Sequence, residues 1–468
     1  MRTDCLVRLR QGEKLSRREL LFLTIQLSIP GILAQITTVV MQYIDASMVG
    51  HLGANQSAAI GLVSSSTWLL GCLCSAVSVG FTVQIAHAVG AGDEKKARGL
   101  VRQGLVIALG VSLLVLSLGV AVHGGLPRWL GGEEAILANA TAYFRIYCMS
   151  IPFILIRQLS TGMMQSTGDM KTPSMLSALV CLLDVVLNML LIFPTRTVHI
   201  ADLAVTLPSA GLGVVGAALG TALSEVIISL AALYLVSTRN KRISLRNKGS
   251  WRWRKHTMAN AARIAIPLSF DQIFMCSAYV AGTKIVAGLG TVAVAANSLA
   301  ITAESLCYMP GYGIGAAATA IIGQTIGAGR SDLTKSFSRV SVYLGMILMG
   351  FTAVLMYLGA PFVFSMLTSS VEVAALGTEV LRLELIAEPL YGASICCAGV
   401  FRGAGDTLRP SVMNLVSMWC VRIMLALVLV PRMGLHGYWT AMALELCFRG
   451  LIFLIRLYRG KWMKKAIV

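Results

Sequence analysis

The chain has 468 residues, of which 56% are apolar and 13% charged, and its mean hydropathy is +0.76. That is too little polar surface to clothe a soluble globule, so the solvent this sequence expects is a lipid bilayer. A formal net charge of +18 would suit a nucleic-acid binder, but the placement of the charges, taken up below, excludes that reading.

The chain opens with Arg8, Arg10, Lys14, Arg17 and Arg18 ahead of an apolar stretch near 20–45. With no small-residue cleavage motif behind it, this stretch reads as a retained first span. Within it Gln35, Thr38, Gln42 and Asp45 recur at steps of three and four, which lays one polar stripe along one helical face. A charge in a bilayer costs a few kcal/mol at least (about 2.5 to 3.5 on insertion scales), so a stripe ending in a carboxylate reads as functional rather than as a solvated helix end.

The second span, near 57–82, runs into QIAHAVGAGDEKKAR, where Gly90 and Gly92 stop one helix and the acids that follow start the next. A counterpart, GQTIGAGRSDLTK, offers Ser331 or Asp332 as a cap. Neither Gly-Ala-Gly has the lysine and strand context of a nucleotide loop. Further spans lie near 100–123 and 143–160, followed by the tight turn QSTGDMKTP.

The fifth span, 173–194, holds Asp184 and Asn188 one turn apart on one face, oxygen ligands suited to a proton or a hard monovalent cation. The segment PTRTVHIADLAVTLPSAG reads as a long loop. Thr221 and Glu225 sit one turn apart in the sixth span, 211–237, whose small residues permit close helix packing. The stretch from Arg239 to Lys255 is the longest polar break in the chain.

Beyond it come spans near 261–283, with Asp271, and 293–322, where Asn297, Glu304 and Tyr308 share a face and Pro310 permits a bend that would open a cavity. Three more lie near 340–360, 378–400 and 410–431, the last with Arg422. In the final span, 437–457, Glu445 and Arg449 at i,i+4 read as a structural ion pair. Stretches this long and this rich in Leu, Val and Ala satisfy their backbones as helices, so the expected fold is an all-α polytopic membrane protein of about twelve transmembrane helices.

The two halves repeat each other. A constant shift of 237 positions carries Pro30 onto Pro267, Gln35 onto Gln272, Gly53 onto Gly290, Gly90 and Gly92 onto Gly327 and Gly329, and Gly168-Asp169 onto Gly405-Asp406. The expected organisation is a six-helix bundle over 1–238, a basic linker over 239–256 and a second six-helix bundle over 257–468. The membrane acids do not follow the repeat. Asp45 faces Gly282, Asp184 faces Val421, and Asp271 and Glu304 face Ala34 and Thr67, so each half is expected to carry its own acidic equipment.

Roughly 29 of the 39 Lys and Arg fall in the tails and every second loop, with Arg128, Arg196 and Arg432 in the alternate loops. This bias puts both termini and the linker in the cytoplasm and makes the high charge a matter of topology, not of a nucleic-acid partner. The cysteines lie mostly inside apolar spans and lack metal-site spacing, so neither disulfides nor a zinc site is expected.

The Pro-x-x-x-x-Gln openings at Pro30 and Pro267, VGHLG at 49–53, the Gly-Ala-Gly turns and the turns QSTGDMKTP and FRGAGDTLRP together resemble the multidrug and toxic compound extrusion (MATE) transporters over nearly the whole chain. Residues 303–313, AESLCYMPGYG, are similar to a bacterial branch in which a glutamate precedes Met-Pro-Gly. The resemblance implies a V-shaped pair of bundles exporting organic cations against inward sodium or proton flow. It also implies an amino-terminal cation site at Asp45, Asp184, Asn188 and Thr221, although here the acid precedes the amide. Where the sodium-coupled branch has a seventh-helix glutamate this chain has Met275, which favours protons over a sodium ion at Asp45, Asp184 and Asn188.

The expected function is therefore ion-coupled export of amphipathic cations by a plasma-membrane protein acting as a monomer, with no enzymatic step and no organic cofactor. Glu304, Asp271, Gln42, Tyr308 and Arg422 are the expected substrate-cavity residues. A lipid-headgroup flippase would need a cavity lined with Arg or Lys, and this chain offers mainly Arg422 and Lys284 against its acids. A scaffold that has lost transport is the other alternative.

Overall fold

The computed structural model describes residues 16–465 apart from 201–202, 241, 247–250 and 252–253. The basic flank at Arg8, Arg10 and Lys14, and the middle of the 239–256 linker, lie outside the described residues. The first half comprises α1 (Arg17–Gly50), α2 (Ala54–Gly90), α3 (Glu94–Val122), a short α4 (Leu126–Trp129), α5 (Glu134–Ser166), α6 (Lys171–Leu191), a hairpin of β1 (Pro194–Ile200) and β2 (Leu203–Ala210), and α7 (Gly213–Thr238). The second comprises α8 (Lys255–Ala287), α9 (Thr291–Gly327), α10 (Ser331–Leu367), α11 (Val371–Leu385), α12 (Glu388–Gly403), α13 (Leu408–Val416), α14 (Met424–Met433) and α15 (Leu435–Arg459).

Among the described residues ten helical segments are long and apolar enough to cross a bilayer singly, the joined α13–α14 among them, and α11 with α12, bent by 59°, makes an eleventh crossing. The last long helix, α15, is 25 residues long but less apolar because it carries Glu445, Arg449 and Arg456. It buries Glu445 and Arg449 against α11, α12 and the α13–α14 segment.

Local chemistry sets the helix ends. Ser16 and Glu19 form a capping box that starts α1, with the Ser16 amide 2.8 Å from Glu19 Oε2. Gly92 and Gly329, at φ +75° and +68°, make the two Gly-Ala-Gly turns. Asp93 caps α3 by accepting the Lys96 amide at 2.8 Å. The second turn differs from expectation: α10 begins at Ser331 after Arg330, and Asp332 folds back onto the Arg330 guanidinium at 3.0 Å instead of capping the helix.

One further expectation is corrected. The 195–210 insertion is not an open loop, because β1 and β2 pair antiparallel from Pro194↔Ala210 to Ile200↔Leu203. Pro310 lies inside α9, which is continuous over 37 residues. A break falls between α11 and α12, where Pro389 in the first turn of α12 cannot continue the hydrogen-bond ladder from α11. Finally, a π-helical turn over Ser417–Ile423 joins α13 to α14, a feature often found where a helix re-aims side chains at a buried site.

The halves meet through glycine-lined crossings. A Cβ added at Gly31 of α1 would stand 2.8 Å from the Gly313 carbonyl of α9, and one at Gly80 of α2 would stand 2.8 Å from the Ala261 carbonyl of α8. At the ends of α2 and α9 on the face that carries the chain termini, an added Cβ at Gly90 would overlap the Gln324 carbonyl and one at Gly327 the His87 carbonyl. His87 and Gln324, like Gly90 and Gly327, are equivalents under the 237 shift, so this crossing obeys the internal two-fold of the repeat. Every residue from Phe81 to Gly90 is buried, as a helix surrounded on all sides must be. On this face the two halves are sealed. Helix α1 belongs to both sides, because Leu20, Leu23 and Leu27 enter a core with Phe337, Phe401, Phe453 and Trp462 of the second half, while its other end packs on α6.

Candidate functional site

Two groups of buried and half-buried acids occupy the interior. In the first half, α1 and α6 bring Asp45 and Asp184 to the Asn188 amide, whose Nδ2 donates to Asp45 Oδ1 at 3.0 Å and to Asp184 Oδ2 at 3.1 Å. Asp184 is fully buried, and Thr221 of α7 lies against its carboxylate. All four residues that the sequence and the family resemblance had singled out thus converge. The remaining oxygens, Asp184 Oδ1 and Asn188 Oδ1, are buried without a hydrogen-bond partner among the described residues. Two carboxylates this close repel one another when both are ionised, a repulsion that a shared proton or a cation between them would relieve.

The sequence reading missed what makes the site fit. An added Cβ at Gly220 of α7 would overlap Asn188 Oδ1. Only a glycine there lets α7 approach closely enough to set Thr221 beside Asp184. The next acid along α7, Glu225, is not part of the group, because Arg157 of α5 holds it through two bonds of 2.6 and 2.9 Å.

In the second half, Glu304 of α9 meets Glu384 and Glu388, which flank the α11–α12 bend, and one carboxylate oxygen from each lies within 4.8 Å of the others. Glu384 and Glu388 are fully buried, and none of their four carboxylate oxygens has a hydrogen-bond partner among the described residues. Three acids grouped in this way can hold a cation or must share protons, since each like-charged pair at 4 Å costs about 4 kcal/mol even at an effective dielectric of 20. Glu384 and Glu388 were not among the candidates drawn from the sequence. The signal was there, as two acids four residues apart inside the apolar stretch 378–400.

The other expected cavity residues scatter. Arg422, carried on the π turn, gives two bonds of 2.7 and 3.0 Å to Glu445, which also binds Arg449 at 2.8 Å and Ser417. A fully buried carboxylate requires such partners, and the i,i+4 pair expected for Glu445 and Arg449 is part of this network. Asp271 of α8 accepts from Asn414 Nδ2 at 3.2 and 3.3 Å and borders a separate small cavity with Arg402. Tyr308 stacks edge-on with Tyr312 and Tyr391, its centroids 6.0 and 5.7 Å from theirs. Gln42 is exposed on α1, and Asn297 is spent accepting from Trp439 Nε1 at 3.0 Å. The ten described cysteines are all unpaired.

An all-helical polytopic fold with an internal repeat and unneutralised acids at its centre defines a membrane transporter. The sequence profile described as MatE matches residues 30–190 and again 267–428, two stretches whose starts are separated by the same 237 positions as the repeat. The chain belongs to the MATE family, whose members are transporters and not enzymes. A protein of Thermotoga maritima described as "Probable multidrug resistance protein NorM" is 24% identical over 446 residues, covering 95% of this chain and 93% of its own. Another of that description, from Shewanella oneidensis, is 25% identical and covers 92% and 93%. A solved structure described as the outward-facing conformation of a multidrug resistance MATE family transporter superposes with a TM-score of 0.86 at 20% identity, over 97% of this chain and 98% of that one.

Proposed function

We propose that this protein is a secondary active antiporter that exports amphipathic, mainly cationic compounds from the cell in exchange for protons, with sodium as the competing ion. The observation that carries this reading is one cluster of acids in each half with buried carboxylate oxygens that have no hydrogen-bond partner among the described residues. An organic cation entering a dry cavity needs negative charge, and a coupling ion that neutralises the same charge releases it, so the two loads compete. The descriptions of the relatives as multidrug resistance proteins support the breadth of substrate.

The amide geometry favours protons. Asn188 turns its donor, not its oxygen, toward both carboxylates, which takes one oxygen ligand away from a sodium ion. The one-sided distribution of Lys and Arg makes the termini face cytoplasmic, and the seal between α2 and α9 then closes the inner entrance of a plasma-membrane exporter. A lipid-headgroup flippase fits less well, because the buried Arg422 and Arg449 and the half-buried Arg157 are committed to Glu445 and Glu225.

The test is movement of a fluorescent organic cation in proteoliposomes, with pH and sodium gradients imposed separately. A pH gradient is expected to drive it, and a sodium gradient at constant pH is not. Absence of gradient-driven movement under either condition would remove the exporter reading.

A further inference from the structure

On the termini face, the end of α2 and the start of α3 meet the start of α8 around a cavity of about 370 Å³. Lys95 and Lys96 in the first turn of α3, and Arg254 just before α8, line it. None of the three is ion-paired among the described residues. The acid on the wall, Asp93, is occupied as the cap of α3. The cavity therefore presents unneutralised positive charge in a concave site, which attracts an anion.

Its buried wall adds a second requirement. His87, only 2% exposed, places Nε2 at 2.8 Å from the Gly403 carbonyl oxygen. A carbonyl accepts, so Nε2 carries the hydrogen and the Nδ1 of the neutral ring is an acceptor. That Nδ1 is buried with no partner among the described residues, and so is Oε1 of Gln103, which lines the same cavity. A buried acceptor left without a donor is destabilising. The ligand that fits is thus an anion that also brings O–H donors.

We propose that this cavity binds a phosphate group bearing hydroxyl donors, whether hydrogen phosphate itself or the glycerophosphate headgroup of an anionic lipid. Such a ligand touches α3 of one half and the start of α8 of the other, where Gln84 of α2 already reaches the Thr257 carbonyl at 3.3 Å. Occupation ties the halves together on the face where they are sealed and favours that arrangement over the one that opens it.

The test uses the full chain in neutral detergent and reads binding alone, so it stands or falls separately from transport. Inorganic phosphate is titrated calorimetrically against sulfate, which matches its shape and charge but has no O–H at neutral pH. Native mass spectrometry compares retention of dioleoyl phosphatidylglycerol with that of dioleoyl phosphatidylcholine. Phosphate is expected to bind at least about tenfold more tightly than sulfate, about 1.4 kcal/mol, or phosphatidylglycerol to be retained and phosphatidylcholine not. Binding of phosphate alone identifies a soluble source, retention of the lipid alone a lipid source, and displacement of the lipid by phosphate one shared site.

Lys95→Gln with Lys96→Gln is expected to weaken binding by on the order of a hundredfold, about tenfold per charge. Gly99→Leu keeps every charge but fills the cavity, since Gly99 lines it and an added Cβ there would meet no atom within 4 Å. It should abolish binding. His87→Gln should narrow the preference for phosphate over sulfate. Binding by neither probe, equal affinity for phosphate and sulfate without lipid retention, or wild-type binding by the folded Lys-pair and Gly99 variants would overturn the proposal.

Discussion

Substituting Gly220 by alanine isolates the geometry of the first acidic group without touching a charge. The new Cβ would overlap Asn188 Oδ1 and stand 3.0 Å from its Cγ and 3.2 Å from its backbone nitrogen. Overpacking of this kind costs about 1 to 3 kcal/mol, and alanine returns about 1 kcal/mol as the better helix former. The fold therefore loses about 2 kcal/mol at most. The site loses more. If Asn188 leaves its rotamer, both bonds from Nδ2 to Asp45 and Asp184 break, and overlap strain of about 1 to 3 kcal/mol set against the geometry that keeps them lowers its population about five- to a hundredfold. The assay is the initial rate of pH-driven movement of a fluorescent cation in proteoliposomes, beside thermal unfolding in detergent. Gly110→Ala is the control, because an added Cβ there meets nothing within 4 Å. Gly220→Ala should lose at least about fivefold in rate with little change in unfolding, and Gly110→Ala should lose nothing. Wild-type transport by Gly220→Ala would mean that the Asp45–Asn188–Asp184 arrangement is not what transport uses.

Asp45→Asn and Asp184→Asn should each abolish gradient-driven efflux in the folded protein, with the double substitution no worse than either. Additive partial losses would show two independent acids instead. Glu304→Gln or Glu388→Gln should weaken binding of cationic dyes at least about tenfold without lowering the unfolding temperature, since each removes a like charge from a crowded group; equal losses for cationic and neutral dyes would indicate a folding defect. Arg157→Met should destabilise the first half by about 3 to 5 kcal/mol by stranding Glu225, and adding Glu225→Leu should recover most of it. Unfolding measurements in which the double variant is as unstable as the single would refute that pairing. In a background free of reactive cysteines, Thr195→Cys should be labelled from outside intact cells and Arg246→Cys should not; the reverse pattern would invert the topology.

What the sequence determined by itself is whatever depends on position along one helix. The length of apolar stretches gave the spans, because a bilayer forces every backbone group to be satisfied within its own segment. The 237-residue register gave the two-fold relation that the α2–α9 crossing obeys, and a three-and-four spacing put Asp45, and separately Asp184 with Asn188, on defined faces. Spacing has no information about which faces meet. That decision lies in helix crossings set by small residues and bends: Gly220 admits Asn188, Pro389 breaks the helix so that Glu384 and Glu388 swing onto Glu304, and the π turn carries Arg422 to Glu445. Arg157 and Glu225 are 68 positions apart in the chain and 2.6 Å apart in the fold. Only the tertiary structure could pair them, because the energy of a buried charge is fixed by the neighbour it finds on another helix and not by the residues beside it in sequence.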